Sequence, residues 1–401
     1  MTNTLSNTET QAVGDRPSRS PVRFLRMRTM TRVAMRMIFH DRLKFAGTLF
    51  GVIFAVVLTN QQLGVFLGLL SKNTMFIDNA GAELWIVPAS TKTLQAGKPL
   101  PMSALYTART IPGVAWAEPL LFGGATISLP AGGSEPLTLI GTTAAHWRGG
   151  PWNVVAGTVD ALRTPETMFF EDSERDKLGG LNIGSVREVN GHRTIAAGFT
   201  WGLLPFGPSY AFTEYDNARV LMGTPSDETS FVLIGVAPGA NVDSVEQALA
   251  ASIHGNQVLS TSEFRSLVLN YLLTQTGIGT TTGSSTIMGL LIGLIIVSLS
   301  MFSGVVDNIR EFGTLKAIGC RNRDLAFVLL LQATVYAMIG SVIGLRLVSL
   351  MSDAIRSPKL ALVLPWQVFA ATPFAMASLC GVASLLALKR IRKVEPGMVF
   401  R

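Results

Sequence analysis

Cysteine is almost absent: Cys320 and Cys380 are the only two in 401 residues, and neither falls between residues 71 and 285. That long segment can hold neither a disulfide nor a zinc site built on thiolates. Histidine is as sparse, and His40, His146, His192 and His254 stand too far apart to join as metal ligands on one element. The signatures of nucleotide and hydrolytic chemistry are missing too: there is no G-x-x-x-x-G-K-[ST] phosphate loop, no G-x-G-x-x-G after a strand, no H-E-x-x-H and no G-x-S-x-G elbow. The chain is therefore expected to hold no metal and no cofactor of its own, to hydrolyse no nucleotide, and to act as something other than an enzyme. Charge is scarce as well, at 15% of residues against 48% hydrophobic.

What remains is apolar, and it is clustered. Four runs, Phe45–Leu70, Thr286–Val306, Leu325–Leu345 and Trp366–Leu388, each meet the ~20 residues a helix needs to cross hydrocarbon. The first run is too long for the core of a signal peptide, and no small-residue cleavage motif follows it, so it is expected to stay as an anchor. The expected fold is an α-helical membrane bundle of four transmembrane helices, with a large mixed α/β extracytoplasmic domain inserted between helices 1 and 2.

Positive charge orients the bundle, because cytoplasmic flanks retain lysine and arginine. Residues 1–44 carry nine Lys/Arg against three acids, the loop 307–324 carries four and the tail 389–401 carries five. The insert 71–285 has twelve Lys/Arg against eighteen Asp/Glu. Both termini are thus expected in the cytoplasm, with the insert on the outer side of the membrane. The net charge of +7 reflects topology and lipid contact, with no nucleic-acid partner.

The segment 1–21 is expected to be a disordered tail, since it has almost no apolar content. Segment 22–44 mixes apolar residues with Arg23, Arg26, Arg28, Arg32 and Arg36, either as a basic helix in the inner headgroup layer or as a plain charged juxtamembrane stretch. Gly47/Gly51, Gly289/Gly293 and Gly340/Gly344 place small residues four apart, which lets helix backbones approach and favours a compact bundle of one copy or two. Asn60, Gln61 and Gln62 interrupt the first run. They form either a polar lining in the membrane or the point where the helix leaves hydrocarbon as a stalk. Arg346 is read as a snorkelling residue at the outer end of the third run.

In the insert, Ala82–Val87, Ala125–Leu129, Leu137–Ile140, Val186–Val189, Thr194–Phe199 and Ser230–Val236 have strand character, and Asn190-Gly191 marks a hairpin. Helices are expected at Asp243–Ile253 and, behind a Ser260/Glu263 capping box, at Phe264–Leu273. The acidic cluster Glu171, Asp172, Glu174 and Asp176 is read as a solvated helix face. Thr276–Ser285, rich in Thr, Gly and Ser, is expected to be a flexible joint or a surface loop.

Between the second and third runs, Ile309, Phe312, Leu315 and Ile318 recur every three residues ahead of Gly319. They suggest a short amphipathic helix that either docks on a cytoplasmic partner or touches lipid alone. The stretch from Arg310 to Gly319, which takes in Glu311, Phe312, Gly313, Leu315, Lys316 and Ala317, resembles the R-E-[FIY]-[GA]-x-[LM]-[KR]-A-[IML]-G loop of the FtsX-like (MacB/LolC-type, type VII) ABC permeases. The carboxyl end, with Val394-Glu395-Pro396 and a final Arg401, is similar to the same family's closing pattern. The stretch Leu181–Phe199 resembles the family's periplasmic strand pair around V-N-G, with Ser185 where an acid is usual. Phe54–Leu58 followed by Gln62-Leu63-Gly64 is similar to the DevC branch.

The resemblance implies a permease with four spans per chain, paired with a second copy of itself and with two copies of a separate ABC ATPase that binds ATP and magnesium. It makes Arg310–Gly319 the ATPase contact. It also implies mechanotransmission to the outer domain, a periplasmic adaptor of the membrane-fusion type and, in some members, an outer-membrane channel. Efflux is the expected output; the alternative is an FtsX-like transducer that activates a periplasmic partner such as a cell-wall hydrolase without transport.

Overall fold

The computed structural model describes residues 20–95, 98–205, 207–354 and 363–392. The expected tail 1–21 lies almost wholly outside these residues, as do the closing pattern Val394–Pro396 with Arg401 and residues 355–362 between the third and fourth runs. The described residues divide into two compact units, the first within 1–58, 291–347 and 367–401 and the second within 59–290 and 348–366.

The first unit is helical. A helix Ser20–His40 is followed after one residue by Arg42–Asn79, where the Asp41 carboxylate caps the new helix by accepting from the Leu43 and Lys44 amides at 3.1 and 3.2 Å. The other spans are Gly277–Asp307, Asn322–Ala354 and Trp366–Arg392. All four carry windows apolar enough to cross a membrane. Their facing sides pack Val52, Ala55, Val56, Val297, Ala333, Ala337 and Cys380. Ile295, Leu299, Val342 and Phe374 are left exposed on the outward faces, as helices bathed in lipid require.

All four helices outrun the expected limits. The first continues past Leu70 to Asn79, the third past Leu345 to Ala354 and the fourth past Leu388 to Arg392, so Arg346 sits exposed within a helix. The flexible joint expected at Thr276–Ser285 is corrected: the helix already begins at Gly277. Its threonines are accommodated by bonding back along the helix, with Thr281 Oγ1 donating to the Gly277 carbonyl at 2.8 Å, Thr282 to Ile278 and Thr286 to Thr282.

The second unit is a mixed sheet. From one edge the order is Asn256–Ser260, Leu84–Pro88, Phe231–Val236, Val114–Ser128, Ser134–Thr142, Ser209–Glu214, Thr167–Glu171, His192–Thr200 and Val154–Ala156. Neighbours pair antiparallel except Ser134–Thr142 with Ser209–Glu214, and Thr167–Glu171 with His192–Thr200. Val186–Val189 turns back onto His192–Thr200 through Asn190 and Gly191, both at positive φ (48° and 78°). The Asn190 side chain holds that turn against the sheet, accepting from the Thr126 amide at 2.8 Å and donating to the Leu221 carbonyl at 2.9 Å. Val242–Ser252 and Thr261–Thr274 are helices near the expected positions, and the second opens on the Ser260/Glu263 capping box.

Candidate functional site

Residues 308–321 lie between the ends of the second and third spans. Asn308 breaks the helix at φ −101° and ψ 18°, and its Nδ2 donates to the Gly304 carbonyl at 2.8 Å. A short helix then runs Ile309–Ala317 and ends at Gly319, whose φ of +100° suits glycine and lets the chain turn into Asn322–Ala354. The expected amphipathic helix is present, but its apolar stripe is divided. Phe312 is 1% exposed, packed with Ala34, Val305, Leu325, Val328 and Leu329, and Leu315 leans on the same cluster. Ile318 is 83% exposed. Phe312, Gly313 and Leu315 therefore hold the helix to the bundle and are not available to a docking partner, whereas Arg310, Thr314, Ala317, Ile318 and Gly319 are open, with Glu311 and Lys316 half-buried beside them. Packing decides the outcome: a helix tethered at both ends by spans must spend one face on them.

Beneath this helix a cavity of about 30 Å³, room for one water, is walled by Asp41, Lys44, Thr48, Asn308, Tyr336 and Ser384 together with apolar neighbours. Polar groups from the first, third and fourth spans thus meet Asn308 where the short helix begins.

The predicted glycines divide as well. A Cβ on Gly51 would overlap the Ser300 hydroxyl, and Cβ atoms on Gly340 and Gly344 would stand 2.6 Å from Val52 and Val56 Cγ1. Gly289 presses on Gln62, whose Cγ would be 2.8 Å from an added Cβ, and Gly293 is buried. Gly47 is exposed and has nothing within 4 Å. The amides of the first run differ in turn: Asn60 is 1% exposed, Gln62 is half-buried against Gly289, and Gln61 is exposed.

Sequence reasoning missed how the first span ends. Phe76, on the last turns of Arg42–Asn79, is fully buried in the second unit. Its ring lies 5.2 Å from Phe122, 5.9 Å from Tyr210, 6.1 Å from Trp152 and 6.4 Å from Trp85. Trp85 in turn contacts Phe264 of Thr261–Thr274 at 5.2 Å. The two stalk helices are further tied by Arg265 Nη1 and Asp78 Oδ1 at 3.6 Å. The signal that could have found this cluster is that Phe76 closes the first long helix while Trp85, Phe122, Tyr210 and Phe231 stand on strands.

The acidic cluster is also corrected. Glu171 ends an entirely buried strand and is itself 0% exposed, and Glu174 is buried in a 3-10 turn; only Asp176 of the four is fully exposed. Glu171 accepts from the Gly202 and Leu203 amides at 2.6 and 3.1 Å, and from the Ser173 and Thr200 hydroxyls at 3.0 and 3.2 Å. Burial pushes its carboxyl above the usual range, and those four donors pull it part of the way back. Lys72, on the stalk, is near enough to feel its charge. Among the described residues no group of three His, Cys, Asp or Glu side chains is placed to hold a metal ion.

A model of the MacB-like periplasmic core domain matches residues 45–252, and one of the FtsX-like permease C-terminal region matches residues 283–396. The chain is 30% identical over 111 residues to an uncharacterized ABC transporter permease of Mycobacterium bovis. It is 27% identical over 110 residues to another from Mycobacterium tuberculosis. Each alignment takes in 27% of this chain and 31% of the relative, so the chain spans about a third of the length of the curated relatives it matches. Among solved structures, the extracellular domain of the ABC-type transporter YknZ from Gram-positive bacteria gives a TM-score of 0.34 at 16% identity, over 44% of this chain and 98% of that one. The periplasmic region of MacB from Actinobacillus actinomycetemcomitans gives 0.38 at 11% identity, over 48% and 94%.

Proposed function

The chain belongs to the family of FtsX-like permeases that carry a MacB-like periplasmic core domain, and on that premise we propose that it is the membrane subunit of an ABC exporter driven by a separate ATPase. In this reading two copies of the chain meet two copies of the ATPase, which binds ATP and magnesium. Both termini and the helix Ile309–Ala317 face the cytoplasm of the inner membrane, and the α/β unit stands in the periplasm.

The observation that carries the proposal is the division of that short helix. Phe312 and Leu315 anchor it among the spans, while Arg310, Thr314, Ala317 and Ile318 form an open surface for a soluble subunit to grip. ATP binding would shift the bundle only if the ATPase binds the two packings with different affinity. The first span provides the route outward. At about 1.5 Å per residue its 38 residues run roughly 57 Å, and its far end is embedded through Phe76 in the core of the outer unit. A displacement of the span then moves the outer domain without catalysis in this chain, expelling a substrate from the periplasm or outer leaflet. The two-copy assembly, a membrane-fusion adaptor and an outer-membrane channel belong to the same proposal.

The test compares three tagged full-length variants. Ile318→Asp and Arg310→Glu are expected to insert normally and lose the co-purifying ATPase. Phe312→Ala is expected to lower the thermal stability of the membrane unit. Undiminished ATPase recovery with both surface variants would refute the assignment.

A further inference from the structure

The helix Ser20–His40 has two opposed faces that the export mechanism does not use equally. Met30, Ala34, Met37 and Ile38 pack inward, and Met30, Ala34 and Met37 meet the cluster that buries Phe312 and Leu315. On the opposite side, at 3.6 residues per turn, Arg28, Arg32 and Arg36 form a ladder four residues apart, and Met35 and Phe39 lie among them on the same face. All five are exposed; Phe39 is 51% exposed even though its ring touches Phe45 at 5.1 Å. Among the described residues no carboxylate pairs with any of the three guanidiniums.

We propose that the Arg28/Arg32/Arg36 ladder is a binding surface for anionic phospholipid headgroups, which press this helix onto the bundle and so buttress the ATPase-facing helix. Charge and connectivity select this occupant. Only Asp41 separates the helix from the first span, which keeps it at the membrane surface. Guanidiniums match phosphate oxygens bidentately. Interleaved Met35 and Phe39 suit the acyl boundary just below the headgroups, and would be costly on a face turned to water. The inner-leaflet assignment rests on the orientation proposed above.

Full-length protein is reconstituted in vesicles of phosphatidylcholine mixed with phosphatidylglycerol, re-extracted in mild detergent, and its retained lipids are counted by native mass spectrometry. Wild type is expected to retain phosphatidylglycerol preferentially. Each arginine at an anionic surface is worth about fivefold at moderate salt. Arg32→Gln should therefore weaken the preference about fivefold, and R28Q/R32Q/R36Q should abolish it. The triple lysine variant keeps the charge and serves as the folding control; it should retain most of the preference. An unchanged phosphatidylglycerol preference in the triple glutamine variant would overturn the proposal. It would also be overturned if that variant lost the ATPase in pure phosphatidylcholine while keeping its lipid preference, because the ladder would then face the protein partner. The lipid count requires no ATPase, so its failure is separate from failure of the exporter reading.

Discussion

Phe76→Ala removes the ring that plugs the end of the first span into the outer unit. Phe76 is 0% exposed and touches Trp85, Phe122, Trp152 and Tyr210. Truncation deletes the transfer free energy of a phenyl group and leaves a cavity between a helix and a sheet that cannot close independently, at a cost of about 3–5 kcal/mol. At roughly 2–4 °C per kcal/mol for a unit of this size, the midpoint should fall by about 6–20 °C. Phe76→Leu refills most of the space and should cost about 1–2 kcal/mol. Trp85 and Trp152 touch the ring directly, so tryptophan fluorescence of the full chain in detergent reports the transition at the site itself. On the proposed export mechanism, Phe76→Ala should also lower transport-linked activity below the melting temperature while leaving ATPase binding unchanged. A midpoint within about 2 °C of wild type would show that the unit repacks around the loss, and that the span is not rigidly seated.

Glu171 provides a signed pH test. Its folded carboxyl is pushed above the usual range by burial, so the folded state binds that proton more tightly than the unfolded one. Stability from this group therefore falls as pH rises from the ordinary carboxylate range through the raised value. The advantage of wild type over Glu171→Gln, from denaturant curves, should be larger at pH 4 than at pH 7; growth with pH would show that the four donors outweigh burial. In the bundle, Gly344→Leu places side-chain atoms where Val56 stands 2.6 Å from a bare Cβ. Tight helix contact predicts loss of monodisperse protein in gel filtration, whereas Gly47→Leu, on an open face, should leave the monomer fold intact. Ser260→Ala removes the reciprocal cap of Thr261–Thr274 and should cost about 1 kcal/mol by thermal melt, with Ser260→Asp recovering most of it.

Much of this architecture was legible because lipid and water impose different patterns. Four apolar runs identified four spans, since unpaired backbone has no other solution in hydrocarbon. Asn190-Gly191 and Ser260/Glu263 identified a turn and a cap, because each satisfies local backbone geometry without help from distant residues. What required tertiary structure was less visible. Thr276–Ser285 has the composition of a linker, yet residues 277–285 are helical, with Thr281 and Thr282 hydroxyls bonded to preceding carbonyls in place of water. The strands Thr167–Glu171 and Ser209–Glu214 lie deep in the sheet, so they lack the alternation that marks a half-buried strand. Glu171 reads in the sequence as a solvated acid because nothing local announces the Gly202 and Leu203 amides that bond it. At the short helix, periodicity found the stripe but not its division, since only the neighbouring spans decide that Phe312 is buried and Ile318 is not.

Docking of an ATPase on the helix Ile309–Ala317 is tested most directly by site-specific photocrosslinking in cells, with a benzoylphenylalanine placed at position 318 and another at 312. Position 318 should crosslink to a cytosolic nucleotide-binding subunit, and position 312 only within the chain. Crosslinks from position 318 to lipid alone, with no soluble subunit captured under turnover conditions, would contradict such docking.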